Sequence, residues 1–125
     1  MKVGLKLFSV NLDTDESQLL ADCAALFDGR RLLYQEKDTG AKHQITLSDE
    51  CLKIQRNADV TSITALRKDG GGNTRIISEY GVMELDAVCE YMHLTDTLWT
   101  VAYRIENQGE VTLHQKLEWH MAQFV

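Results

Sequence analysis

Hydrophobic and polar residues alternate along almost the whole chain with a period of two, which is the period of a β-strand. The C-terminal part shows this pattern best. The odd-numbered positions, which we expect to point inward, are apolar apart from one glutamine. They are Val111, Leu113, Gln115, Leu117, Trp119 and Met121. Polar and charged residues fill the positions between them. The pattern predicts a strand over residues 111–121 with one buried face and one solvated face.

Short polar or glycine-containing turns separate the alternating segments at intervals of about eight to twelve residues. Residues 107–109 (Asn-Gln-Gly) and 69–73 (Asp-Gly-Gly-Gly-Asn) have hairpin composition, because glycine accepts the positive φ that a tight turn requires. Counting the segments between such turns gives about ten strands. Consecutive hairpins would make them an antiparallel meander.

Residues 18–27 allow two interpretations. The apolar positions in this segment also fit a helical period of 3.6, and the segment is rich in leucine and alanine. We favour a strand, because a single helix would interrupt an otherwise continuous meander. A helix over these residues is the alternative.

A chain of 125 residues is of single-domain size. Ten hairpin-linked strands would leave two unpaired edges, and closing the sheet removes both. We therefore predict one all-β domain over residues 1–125, an antiparallel up-and-down barrel. A barrel of about eight to ten strands has a lumen that is either filled by side chains or able to hold one small ligand.

Charge, hydropathy and cysteine content limit the partners and the cellular compartment that we expect for this protein. The net charge of −6 comes from 19 acidic and 13 basic side chains without a block of either sign, which argues against nucleic-acid binding. No apolar run approaches the ~18 residues that a membrane-spanning helix needs. Three cysteines without a C-x-x-C spacing favour a reducing compartment, so we expect a cytoplasmic protein that does not bind membranes.

Few residues carry a pattern of catalytic or metal-binding chemistry. Residues 70–72 are a glycine triplet, but no Lys-Ser/Thr pair follows as in a phosphate-binding loop. His114 and His120 would lie about 20 Å apart on one strand, too far to share a metal ion. We expect no metal, no cofactor and no catalytic residue. A protein that is not an enzyme is therefore favoured, and an enzyme is the third hypothesis.

One charged side chain is predicted on an apolar face. Arg56 follows Leu52 and Ile54 at the same parity, so its guanidinium should point into the barrel near the mouth. Because burying a lone charge is costly, it must meet a carboxylate, a carbonyl, water or a ligand anion. Four aromatic residues share the inward parity. The predicted lumen-lining, ligand-binding residues are Arg56, Tyr91, Trp99, Tyr103 and Trp119.

The stretch from residue 52 to residue 121 resembles a known family. The strand 52–56 (Leu-Lys-Ile-Gln-Arg), the strand entry 80–85 (Tyr-Gly-Val-Met-Glu-Leu) and the closing hairpin 99–121 are similar to those of the YwiB-like domain of unknown function, a family of small bacterial barrel proteins found mainly in Firmicutes. Ala58 and Ser78-Glu79 depart from its turn residues. The resemblance implies a calycin or lipocalin-like barrel, and it implies no established activity.

Two functions follow from a barrel of this kind. The first is a non-enzymatic module that binds a small apolar or amphipathic ligand in its lumen. The alternative is a filled barrel that acts through a protein partner or as a homodimer, for which the outer face of residues 80–94 is the candidate surface. A cavity larger than about 300 Å³ would favour the first and a filled lumen the second.

Overall fold

The protein was analysed as a computed structural model, which describes residues 1–123. Ten β-strands make up the described chain, and their bounds agree with the alternation in the sequence. They are β1 (Lys2–Asn11), β2 (Ser17–Phe27), β3 (Arg31–Gln35), β4 (Lys42–Ser48), β5 (Cys51–Asn57), β6 (Thr61–Arg67), β7 (Gly72–Ser78), β8 (Gly81–Leu94), β9 (Leu98–Asn107) and β10 (Glu110–Gln123). No helix long and apolar enough to cross a membrane occurs among these residues.

The strands form one closed antiparallel barrel in which each strand pairs with its neighbours in the chain. Closure comes from β1, which pairs with β2 on one side and with β10 on the other. The register of β1 with β10 runs from Val3 opposite Gln123 to Asn11 opposite Gln115. The predicted all-β, ten-stranded barrel is confirmed.

Residues 18–27 form a strand, as favoured from the sequence. β2 pairs with β1 over nearly its whole length, and Ala25 and Phe27 point into the core. The apolar positions that fit a helical period are divided between the two faces, and Leu19, Leu20 and Leu26 are exposed. Pairing within the barrel therefore overrides the helical propensity of this segment.

The middle of the barrel is filled with side chains. Trp99 on β9 and Trp119 on β10 lie opposite each other, each 1% exposed, and Phe27 packs edge-on against Trp99 with ring centroids 5.4 Å apart. Aliphatic side chains from six strands complete this layer. They are Leu5, Leu32, Ile45, Leu52, Leu66 and Val101. A long apolar ligand therefore has no open central lumen to occupy.

An irregularity in β8 changes which of its side chains face inward. The register with β9 shifts between Cys89 and Tyr91, so alternation restarts one residue later. Tyr91 consequently lies outside with 53% of its surface exposed, and the prediction that it lines the lumen is wrong. Met92 and Leu94 pack against the core instead, which removes them from the outer face that we considered for dimerisation.

The wall of the barrel is least continuous between β2 and β3. These strands pair only at Leu26 with Leu33 and at Phe27 with Leu32. Towards its N-terminal end β2 therefore continues beside β1 alone, while the chain after β3 turns through residues 36–41 into β4. This divergence positions the cavity described next.

Candidate functional site

A cavity of about 280 Å³ lies where β2 separates from β3, at the end of the barrel to which Arg56 points. Its lining combines aliphatic, aromatic and charged side chains from five parts of the chain. They are Leu7, Leu20, Ala21, Tyr34, Glu36, His43 and Arg56. We call this cavity the Tyr34 pocket.

Three charged or polar side chains meet at the rim of the pocket, and we call Glu36, His43 and Arg56 the Glu36 cluster. Arg56 Nε donates to Glu36 Oε2 at 2.9 Å and Arg56 Nη2 to Glu36 Oε1 at 3.4 Å. His43 Nε2 contacts Glu36 Oε2, and the Thr39 hydroxyl donates to Glu36 Oε1 at 2.9 Å. His43 and Arg56 are cross-strand partners on β4 and β5, so the two strands present both side chains to the one carboxylate.

The electrostatics of the Glu36 cluster follow from these contacts. The hydrogen bond from Arg56, helped by those from His43 and Thr39, lowers the pKa of Glu36 from 4.5 to about 2. Glu36 is therefore a carboxylate at any ordinary pH. Because Arg56 is already matched by this charge, the structure itself supplies the partner that the sequence analysis required.

An aromatic contact joins the Glu36 cluster to Tyr34. The rings of Tyr34 and His43 stack in parallel with centroids 4.5 Å apart. Burial raises the pKa of the Tyr34 phenol well above its usual range, and the nearby Trp119 indole acts in the opposite direction. Within residues 1–123, Trp119 Nε1 is a buried donor without a well-formed hydrogen bond.

The five residues predicted to line a lumen have different locations. Arg56 lies at the mouth and lines the Tyr34 pocket, whereas Tyr91 is outside. Trp99, Trp119 and Tyr103 face inward as predicted, but they belong to the packed core. The Tyr103 hydroxyl accepts a hydrogen bond of 2.7 Å from Gln115, and burial raises its pKa. Whether any of the five binds a ligand stays a prediction.

Sequence reasoning missed Tyr34, Glu36 and His43. Two of them were detectable, because Tyr34 shares the parity of Leu32, and His43 shares that of Ile45. His43 is thus a polar residue on an inward face, the same signal that identified Arg56. Glu36 lies in a turn beyond β3, where parity gives no information about direction.

A second polar cluster lies on the outer wall. His114 Nε2 is 2.6 Å from Glu90 Oε1, and His114 Nδ1 is 3.2 Å from Asp13 Oδ1. Arg104 donates to Glu90 at 2.9 Å and to Glu106 at 2.8 Å. We call these five residues the His114 cluster. It borders a polar cleft of about 540 Å³ between the β1–β2 turn and the start of β10.

Neither cluster has the arrangement of a metal centre. Among the residues that the structure describes, no group of three or more His, Cys, Asp or Glu side chains is placed to hold a metal ion. In the Glu36 cluster the third member is an arginine, which binds anions and not metal ions.

Comparison with known proteins identifies a similar fold. The crystal structure of the ywiB protein from Bacillus subtilis matches with a TM-score of 0.64 and 14% sequence identity, and the match covers 95% of this chain and 90% of that one. At this identity the likeness shows the barrel fold alone. No family model and no curated protein matches the chain.

Proposed function

We propose that this protein is a small-molecule binding protein whose ligand lies in the Tyr34 pocket. The observation that carries the proposal is the combination of aliphatic walls with polar groups that converge from three sides. Pockets of this composition are typical of ligand sites, in which apolar contact gives affinity and a few polar groups fix orientation. The cavity opens beside a wall gap, so a ligand has a route of entry.

Size and charge define the class of ligand. The volume of about 280 Å³ lies just below the ~300 Å³ at which the range for ligand pockets begins, so the proposal rests on the composition of the lining, and the ligand is smaller than haem or a long-chain fatty acid. Glu36 uses its oxygens on Arg56, His43 and Thr39, while N–H groups of Arg56 remain for a further acceptor. The ligand is therefore a small amphipathic molecule with a hydrogen-bond acceptor.

The chemistry of the cluster favours binding over catalysis. A general base works best with a pKa near the operating pH, and that of Glu36 is lowered to about 2. The neighbouring thiol of Cys23 has a raised pKa because of burial, which disfavours the nucleophilic thiolate.

We also propose that the chain is a member of the YwiB-like family, with a calycin or lipocalin-like barrel and a cytoplasmic location in a bacterium. The structural likeness to the Bacillus subtilis protein and the strand motifs of residues 52–121 support membership. A sequence profile built from the chain's own homologues would test it, since members should be recovered along its full length.

The binding proposal is tested by NMR with a panel of small probes. The panel comprises hexanol, hexanoate, benzoate, indole and hexylamine. We expect hexanol, hexanoate and benzoate, which carry an acceptor oxygen, to shift the methyl resonances of Leu7 and Ala21 most, and indole and hexylamine, which offer no acceptor, to act least. The proposal fails if no probe shifts these resonances at millimolar concentration.

A matched pair of substitutions locates the site. Ala21→Phe fills the pocket from within, whereas Ala24→Phe adds the same ring on the exposed side of the same strand. We expect Ala21→Phe to abolish the shifts of the remaining pocket methyls and Ala24→Phe to preserve them. Equal binding by both variants would place the ligand elsewhere.

A further inference from the structure

The polar cleft beside the β1–β2 turn is lined by positions that alternation directs into the barrel. On β1, Ser9 and Asn11 continue the inward face that carries the buried residues of that strand. Gln18 of β2 lies opposite Ser9. Gln115, the glutamine that interrupts the apolar set of β10, lies opposite Asn11. Cross-strand partners share a face of the sheet, so four polar side chains converge at this end of the barrel. We call this cleft the Ser9 cleft.

The Ser9 cleft is large enough for a ligand and is separate from the Tyr34 pocket. Its volume of about 540 Å³ lies within the range of ligand pockets, roughly 300–1,000 Å³. The two cavities share no lining residue, since the Tyr34 pocket lies towards β3, β4 and β5. The Ser9 cleft can therefore bind a ligand whether or not the Tyr34 pocket does.

The side chains of the cleft have hydrogen-bonding capacity that the protein does not use. Among the residues that the structure describes, the side chains of Ser9, Ser17 and Gln18 have no hydrogen-bond partner. Gln115 donates from Nε2 to the Tyr103 hydroxyl at 2.7 Å, which leaves its Oε1 as an acceptor. Hydroxyls and amides offer both donors and acceptors, so the cleft matches ligand groups that also do both.

The wall formed by the β1–β2 turn is held in place by side-chain contacts. Asn11 Oδ1 accepts from the backbone N–H groups of Asp13 at 2.9 Å and Thr14 at 3.3 Å. Asp13 Oδ1 in turn lies 3.2 Å from His114 Nδ1 on β10. The amide nitrogen of Asn11 stays available to a ligand. A cleft whose walls are positioned beforehand loses less entropy on binding.

The charge of the lining selects against anions. None of the described residues that line the cleft is a lysine or an arginine, whereas Asp13 and Glu16 are both present. A phosphate or carboxylate would meet two carboxylates and no cation. Asp13 already contacts His114, so only one carboxylate is left to attract a cation. Val111 and Leu113 are 47% and 36% exposed, and they offer apolar surface to the C–H groups of a ring.

We propose that the Ser9 cleft binds a neutral polyhydroxylated molecule, such as a sugar or a polyol. Each ligand hydroxyl donates to one oxygen and accepts from one N–H or O–H group, which is the mixture that Ser9, Asn11, Gln18 and Gln115 present. Because the cleft is open to water, each hydrogen bond contributes little and we expect millimolar affinity.

An NMR titration with two matched pairs of probes tests the class of ligand. Glucose is paired with glucuronate, and sorbitol with the cationic polyol N-methylglucamine. We expect both neutral compounds to shift the side-chain amide resonances of Asn11, Gln18 and Gln115 at millimolar concentration, and glucuronate to act least. The proposal is overturned if neither neutral compound shifts these resonances, or if N-methylglucamine binds and sorbitol does not, which would indicate a cation site.

A matched pair of glutamine substitutions tests the location. Gln18→Leu removes an exposed amide from the cleft, and we expect it to weaken glucose binding at least about 5-fold. Gln44→Leu makes the same change on β4, at a position outside the cleft, and should leave binding unchanged. Ser9→Val, which removes a hydroxyl at nearly constant volume, should also weaken binding. Equal binding by all three variants would overturn the proposal.

Discussion

Two clusters in this barrel combine a histidine, an arginine and acidic side chains, and they lie on opposite faces of its wall. The Glu36 cluster is on the inner face at the mouth, where one carboxylate receives hydrogen bonds from Arg56, His43 and Thr39. In the His114 cluster on the outer face the roles are reversed, because one imidazole lies between the two carboxylates of Glu90 and Asp13.

This reversal decides which charge each cluster stabilises. Three donors around one acceptor keep Glu36 ionised, and they lower its pKa. Two acceptors around one ring require both nitrogens of His114 to carry hydrogen, and they raise its pKa above 6.5. The inner cluster borders a cavity with apolar walls, whereas the outer one connects the β1–β2 turn to the sheet. The residue types alone would therefore not show which cluster borders the Tyr34 pocket and which one connects a turn to the sheet.

Removing the central acceptor of each cluster should give the largest difference between them. Glu36→Gln leaves Arg56 and His43 facing a neutral amide inside the mouth, and we expect a loss of about 1–2 kcal/mol in the free energy of unfolding. That range is set low because Arg56 keeps 38% of its side chain in solvent. Urea unfolding at neutral pH measures it.

Glu90→Gln is the control on the outer wall. The same substitution there should cost less than Glu36→Gln, because His114 keeps Asp13 as a second acceptor and Glu90 keeps 32% of its side chain in solvent, against 25% for Glu36. An equal or larger loss for Glu90→Gln would show that the inner cluster is no more sheltered than the outer one.

Acid should destabilise the protein partly through Glu36. Its folded pKa of about 2 lies below the usual 4.5, so it contributes stability that is present above pH 4.5 and is lost as the pH falls towards 2. Stability measured across this interval should fall less steeply in Glu36→Gln than in the unsubstituted chain. Identical slopes in the two proteins would mean that the carboxylate titrates normally.

The sequence predicted the barrel better than it predicted the site, for a physical reason. Alternation follows from burial of one strand face, so it located the strands and the inward direction of Arg56, Trp99 and Trp119. It failed at Tyr91, because one extra residue in β8 inverts the parity of everything after it. Alternation also gave no information about Glu36. This residue lies in a turn, where side chains do not alternate between two faces, and it contacts Arg56, which is 20 residues away in the sequence.

The His114 cluster should respond to pH in the opposite direction from Glu36. A raised folded pKa means that protonated His114 contributes stability that is fully present below pH 6.5 and is lost as the pH rises through the folded value. The effect should be under about 1 kcal/mol, since His114 keeps 25% of its side chain in solvent and its partners Glu90 and Asp13 keep 32% and 70%. His114→Gln should flatten the stability profile on the alkaline side of pH 6.5. An unchanged slope there would mean that Glu90 and Asp13 do not hold the proton on His114.

The smallest effect is expected where an arginine and a glutamate pair with similar geometry but in full contact with solvent. Arg75 donates to Glu84 at 3.0 and 2.7 Å between neighbouring strands, with side chains 51% and 56% exposed. Glu84→Gln should change the free energy of unfolding by no more than about 0.5 kcal/mol in urea. The Arg56–Glu36 pair has longer contacts and yet should matter more. Glu84→Gln could instead lower the free energy of unfolding as much as Glu36→Gln does. In that case hydrogen-bond geometry, and not burial, would set the strength of these ion pairs. The two faces of the barrel wall would then not differ in this respect.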